Sequence, residues 1–234
     1  VLSTAVIAEP LTGQAELGLL VTDGNTETQN LSAKLNLVKK TEDWKHEANF
    51  SATSNESQNQ DTGITSTTTE KYAADFKSDK NLDDRSFLYG IGTYTSDRFS
   101  GFDYQVTVGV GYGYKLVSSD TQTLAFEVGP GYRYNSVEAG PEEKEATLRL
   151  AETFDWKFSE TAELNQYISA EGGDENTITK AGISVQSKLT GSLALKVGID
   201  ATYTDNVPID QKASARTGKI AVSYTHLRAH ETRP

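Results

Sequence analysis

Apolar and polar residues alternate one by one along segments of about ten residues from Gly13 onward, and this two-residue period restricts the possible folds more than any other feature of the chain. Successive side chains of a β-strand point to opposite sides, so such a segment is a strand with two unlike faces. Leu31, Ala33, Leu35 and Leu37 share one face while Ser32, Lys34 and Asn36 share the other. Trp44, Ala48, Phe50 and Ala52 stand against Lys45, Glu47, Asn49 and Ser51, and Tyr72, Ala74 and Phe76 against Asp75 and Lys77. The clearest run sets Tyr104, Val106, Val108, Val110, Tyr112, Tyr114 and Leu116 against Gln105, Thr107, Gly109, Gly111, Gly113 and Lys115. The pattern continues through Leu124–Val128, Leu148–Phe158 and Leu193–Tyr203 to Ile220, Val222 and Tyr224, and no segment sustains helical spacing. Glu152 and Gln166 break it, falling on the apolar face, where a bulge or a position near a membrane boundary would accommodate them.

Connections between these segments alternate in length. Those around Lys40–Asp43, Asp79–Asp83, Ser118–Thr121, Ser159–Thr161 and Thr190–Ser192 are short and follow even-numbered strands. Those at Asn55–Thr68, Ser96–Asp103, Ser136–Lys144 and Asp205–Ala215 follow odd strands and are longer, with tight exceptions at Asp23–Thr26 and Gly172–Asn176. Short turns at one end and longer loops at the other, with an even strand count, are the layout of a single-chain bacterial outer-membrane barrel. The expected fold is all-β: a closed antiparallel up-and-down transmembrane barrel of about 12 strands, short turns facing the periplasm.

Such an apolar face belongs either in a soluble core or against lipid. A barrel of this strand number packed inside with Leu and Val would leave a large dry void, because around eight strands already enclose a space that side chains fill. The opposite face carries charges of both signs, among them Lys34, Glu47, Asp75, Glu127, Arg133, Arg149, Lys180, Lys196 and Asp200, which suit a wet lumen. Aromatic residues such as Trp44, Tyr72, Tyr89, Tyr104, Tyr134, Trp156 and Phe158 gather towards strand ends, where amphipathic rings favour the lipid–water boundary. A closed sheet also leaves no unpaired edge in lipid. The competing soluble β-sandwich binding module would dissolve without detergent.

Composition agrees by exclusion. Hydrophobic residues are 36 % of 234, and no stretch approaches the roughly 18 apolar residues of a spanning helix. A formal net charge of −11 is the wrong sign for nucleic acid, which requires a basic stripe. There is no Cys for a disulfide or thiolate site, and no Met even at position 1, so the chain reads as a mature form or a fragment. Residues 1–12 read as a signal-peptide remnant, cut near Ala5 or Ala8, or as a periplasmic N-terminal segment, and 13–224 as the barrel.

The run Asp97-Arg98-Phe99-Ser100-Gly101-Phe102-Asp103-Tyr104, with Gly109-Val110-Gly111-Tyr112-Gly113-Tyr114 and Gly129-Pro130-Gly131-Tyr132-Arg133, resembles the salt-induced outer-membrane protein family, a domain of unknown function. The resemblance spans roughly Gly13 to Tyr224 and implies a barrel in the bacterial outer membrane; it brings neither catalytic residues nor a substrate. The end departs from such barrels, which usually stop at an aromatic residue. Residues 225–234, Thr-His-Leu-Arg-Ala-His-Glu-Thr-Arg-Pro, form a non-native-looking tail that resembles translated adapter sequence, so 225–234 is expected to lie outside the fold and His226, His230 and Arg233 carry no functional reading.

Candidate chemistry is sparse. Outside that tail His46 is the sole histidine; it falls on the apolar face with Trp44 and Phe50 and lacks the nucleophile and acid of an acyl-transfer site. Glu142, Glu143 and Glu145, and Asp174 with Glu175, lack the spacing of a calcium loop and read as solvated charge. Gly90 and Gly92 are expected to join Gly109, Gly111, Gly113, Gly129 and Gly131 as a smooth lumenal patch or a source of strand curvature. Catalytic, cofactor and metal sites are therefore expected to be none. Expected partners are outer-membrane lipid, the barrel-assembly machinery during insertion, and ions or small solutes in the lumen. The expected role is a narrow or closed envelope barrel in salt-stress adaptation; the alternative is a passive pore for ions or small solutes, whose selectivity would respond to Lys45→Ala or Glu127→Ala.

Overall fold

The computed structural model describes residues 11–22, 26–59, 64–98, 100–137, 140–190, 193–205 and 216–226. The strands are β1 Leu11–Thr22, β2 Thr26–Lys40, β3 Trp44–Asn59, β4 Ile64–Asn81, β5 Ser86–Asp97, β6 Phe102–Ser118, β7 Gln122–Val137, β8 Glu143–Lys157, β9 Ala162–Gly172, β10 Thr177–Thr190 and β11 Leu193–Thr204. Each pairs antiparallel with the next, giving an all-β up-and-down sheet that curls on itself. A further segment, β12 Arg216–His226, pairs with β11 over eleven residue pairs and meets β1 over three. Residues 1–10 and 227–234, which hold the proposed cleavage sites, His230 and Arg233, lie outside the described residues.

The alternation decides which face turns outward. Leu17, Leu31, Phe50, Phe76, Val110, Leu150, Ile183 and Val197 lie exposed on the convex side of their strands. The concave side holds the charged and small residues, with Glu127, Arg133, Asn135 and Glu145 buried among them. A two-sheet sandwich would hide the apolar set between its layers; a single curled sheet presents it outward.

Two sequence expectations require correction. The stretch Asn55–Thr68 is mostly strand, since β3 runs to Asn59 and β4 starts at Ile64. Likewise β5 runs to Asp97 and β7 to Val137. Ser, Thr, Asn and Gln continue the ladder there without apolar partners, so the hydrogen-bonded hairpin outlasts the alternation that signals it. At 18 residues β4 is about 60 Å long. Tilted at about 45° it rises roughly 42 Å, well past an apolar band about 25 Å tall.

The second correction concerns β5. Phe87 and Tyr89 are buried on the concave face beside Ile91, while Gly90 and Gly92 pair with Val110 and Val108 on the outer face. Tyr89 lies opposite Gly111, and Phe87 opposite Gly113. A Cβ at Gly111 would approach the Tyr89 ring to 2.6 Å, and one at Gly113 would run into the Phe87 ring. The inward rings thus occupy space that Gly111, Gly113 and Gly129 leave free, so Gly90 and Gly92 do not belong to the lumenal patch. The turn after β5 has its own glycine requirement: Gly101 takes a φ of 81°, and Ser100 N donates to the Asp97 carbonyl at 3.0 Å.

Candidate functional site: a bridged concave face

Lys77 on the polar face of β4 and Arg133 on that of β7 meet partners across the curl of the sheet. Lys77 on β4 reaches past two strands to Glu127 on β7 at 2.6 Å, and also holds Asp79 at 2.7 Å. Arg149 on β8 donates to the other Glu127 oxygen at 2.7 Å. The same two cations cover the Tyr89 ring, Lys77 Nζ at 5.4 Å and the Arg149 guanidinium at 5.4 Å from its centroid, so an aromatic wall backs the ion triplet. Glu127 is therefore held by two cations and is not a lone carboxylate lining open water.

Towards the opposite end of the strands a second cluster centres on Arg133, whose side chain is 0 % exposed. Its Nε faces Glu145 at 3.2 Å and Glu171 at 3.3 Å. Its Nη2 donates to the carbonyls of Glu171 and Asn176 at 3.2 Å each, and its Nη1 to Asn176 Oδ1. Thr107 donates to Glu171 at 3.3 Å, and the Glu175 backbone N–H donates to Glu145 at 2.8 Å. The tight connection Gly173–Asn176 is thereby drawn inward over β7 and β8. Glu145 belongs to this buried cluster, which corrects the solvated reading; Glu142 remains exposed, paired with Lys144 at 3.1 Å.

The remaining wall is wetter. Lys34 on β2 binds Asp200 on β11 at 3.0 Å with side chains 44 % and 42 % exposed, and Tyr167 donates to Asp200 at 3.0 Å. Lys196 meets Glu16 at 2.9 Å, and Gln14 meets Gln186 at 3.1 Å. Lys45 pairs with its own-strand neighbour Glu47 at 2.9 Å.

His46 lies on the outer face between the rings of Trp44 and Phe76, 5.7 and 6.3 Å away, with Ser78 Oγ at 2.9 Å from Nδ1. Among the described residues no group of three or more His, Asp and Glu is arranged to hold a metal ion. Sequence reasoning did not single out the Arg133 cluster: Asn176 is 43 residues away, and the available signal was the glycine pair Gly172-Gly173, of which Gly173 lets the turn approach Glu145 closely.

Solved structures share this fold. The chain is similar to the outer-membrane channel "COG4313" of Pseudomonas putida F1, with a TM-score of 0.55, 10 % identity, 97 % of this chain and 100 % of that one covered. It is similar to the NanC porin at 0.52, 10 % identity, 92 % and 100 % covered. The translocator domain of the Neisseria meningitidis autotransporter NalP gives 0.51, 12 % identity, 94 % and 87 % covered. Among curated sequences, "Uncharacterized protein YdiY" of Escherichia coli (strain K12) is 25 % identical over 202 residues, covering 86 % of this chain and 77 % of the relative. The family model described as "Protein of unknown function, DUF481" matches residues 15–225, from β1 to the end of β12, and the chain belongs to that family.

Proposed function

We propose that this chain is a bacterial outer-membrane protein: a closed twelve-strand barrel, residues 11–226, with Thr225 and His226 inside the ladder and a lumen narrowed by its own side chains. It serves an envelope role in salt or osmotic adaptation and not catalysis. The observation that carries the narrow lumen is the set of bridges between strands that are not neighbours, above all Lys77–Glu127 at 2.6 Å and Arg133–Glu171 at 3.3 Å. An open porin keeps a water-filled interior; here Lys77 and Arg133 bridge to carboxylates across it. The exposed apolar convex face supports insertion in lipid, since a soluble surface rarely carries contiguous apolar patches beyond a few hundred Å². The short turns then face the periplasm, barrel-assembly machinery handles insertion, and the salt-stress role rests on the family resemblance.

A second reading, a passive pore for ions or small solutes, is favoured by the half-exposed Lys34–Asp200 wall. Planar-bilayer conductance of the refolded chain separates the two. A narrowed barrel gives silence or very small steps; large, reproducible porin-sized steps refute it. Recovery of the tagged protein in the inner-membrane or soluble fraction would refute the location.

A further inference from the structure

Glu152 and Gln166 are a polar pair set in the middle of the apolar outer face. Glu152 lies between Phe126 and Ile168 across the ladder and between Leu150 and Phe154 along its strand; Gln166 lies between Phe154 and Ile183. Phe126 and Ile168 are 47 % and 45 % exposed, which fixes the direction in which this face looks. Neither β8 nor β9 shifts register here, so no bulge turns the pair away from the outside. Gln166 Nε2 donates to Glu152 Oε2 at 2.8 Å. That bond uses one of the two amide N–H groups and one acceptor position of the carboxylate. Lipid offers nothing to the rest, and charge on the lipid face of a barrel is destabilising towards the bilayer midplane.

Glu152 lines a shallow groove of about 560 Å³ walled by Tyr112, Tyr114, Phe126, Leu150 and Ile168, with Ala170 at one side, and Gln166 stands at its edge, bonded to Glu152. We propose that this groove is a self-association surface and that its occupant is a second copy of the chain. The inference rests on the membrane reading above. Polar complementarity argues for a second copy: the pair presents a carboxylate and an amide side by side, and is therefore its own complement. A two-fold axis along the membrane normal, passing between the two residues, brings each Glu152 against Gln166 of the partner subunit at matching depth. Four polar groups then close a ring inside a dry apolar seam. A monomer leaves them facing acyl chains.

The test uses the full chain, refolded into phosphatidylcholine vesicles and labelled on a periplasmic turn, with energy transfer between copies read as lipid is added. Barrel integrity is followed by heat-dependent mobility on unheated gels. Wild type is expected to dimerise, and Glu152→Leu or Gln166→Leu to weaken association by about ten-fold with the barrel intact. Gln166→Glu alone, which places two carboxylates together, should abolish it, and the exchange Glu152→Gln with Gln166→Glu should restore it. Rescue by exchange is not expected of a merely structural pair. A wild type that stays monomeric at high protein density, or a dimer that survives Glu152→Leu with Gln166→Leu, overturns the proposal. Failure of an intact barrel to enter vesicles would overturn the membrane reading, and this proposal with it.

Discussion

Replacing Arg133 by Met keeps much of the side-chain volume and removes the only cation of the second concave-face cluster. Glu145 and Glu171, 3.2 and 3.3 Å from its Nε, are left without it, and Asn176 loses the donors to its side chain and carbonyl. Breaking a buried ion pair from one side costs about 3–5 kcal/mol, because the surviving charge stays desolvated. Two features pull the value down. Glu145 keeps the Glu175 backbone N–H at 2.8 Å, and Glu171 keeps the Thr107 hydroxyl at 3.3 Å with its side chain 18 % exposed. The expected loss is therefore about 3 kcal/mol, the lower end of that range. With a urea dependence of about 2 kcal/mol per molar, the unfolding midpoint should fall by about 1.5 M. The assay is urea unfolding of the refolded protein in vesicles, followed by the fluorescence of Trp44 and Trp156. Adding Glu145→Gln and Glu171→Gln removes the stranded charges while keeping an acceptor for the Glu175 amide, and should recover most of the loss. A shift worth less than about 1 kcal/mol, the scale of an exposed pair, or a triple variant no better than the single one, refutes the reasoning.

Three further outcomes follow from the same geometry. Gly129→Ala drives a Cβ into the Val110 carbonyl and to 2.5 Å from the Gly111 Cα, backbone that cannot swing aside, and should cost about 2 kcal/mol; Gly90→Ala, with nothing within 4 Å, should stay within about 0.5 kcal/mol, and equal urea midpoints for the two would contradict the face assignment of β5. The combined Lys77→Ser, Glu127→Ser and Arg149→Ser variant should gain bilayer conductance over wild type; an unchanged trace from a folded barrel would show that these bridges do not set the bore. In the β4–β5 turn the backbone N–H groups of Arg85 and Ser86 donate to Asp83 at 2.7 Å each and hold its carboxyl below the usual aspartate range. A lowered folded-state value means a stability contribution present above the unfolded value of about 3.9 and lost as pH falls through the folded one. Asp83→Ala should flatten the acid side of a plot of urea midpoint against pH, and an unchanged slope would count against the turn's role.

The faces of β2, β3, β4, β6, β7, β8 and β11 were legible because Leu, Val and Phe recur at every second position opposite charge or glycine. β5 was not, since its two sets mix: Phe87, Tyr89 and Ile91 look lipid-facing, and Gly90 and Gly92 look lumenal. What decides is packing against β6 and β7, where glycines make room for inward rings, and a single strand's pattern does not contain its neighbours' volumes. The polar ends of β3 and β4 were invisible for a different reason. Their ladder is held by backbone bonds, which leave no trace in side-chain polarity. The inner charges were readable as residue types, but their partners were not. Arg133 meets Glu171 and Asn176 only after the sheet curls across the intervening β8, and the Glu152–Gln166 bond likewise joins what the sequence shows only as two exceptions.

Packing inside the curl is uneven: Phe87, Tyr89, Ala125, Glu127, Arg133 and Glu145 are buried along β5–β8, while Lys34 and Asp200 stand in water. A cylinder stiffened along one side bends along the other. On the proposed membrane reading, lateral pressure from the bilayer is taken up as breathing of the thinner wall around the half-exposed Lys34–Asp200 pair of β2 and β11. The thick wall keeps its shape. Its amide protons should be the last to exchange and its hairpins the last to part when the barrel is pulled open, so that mechanical failure starts on the wet side.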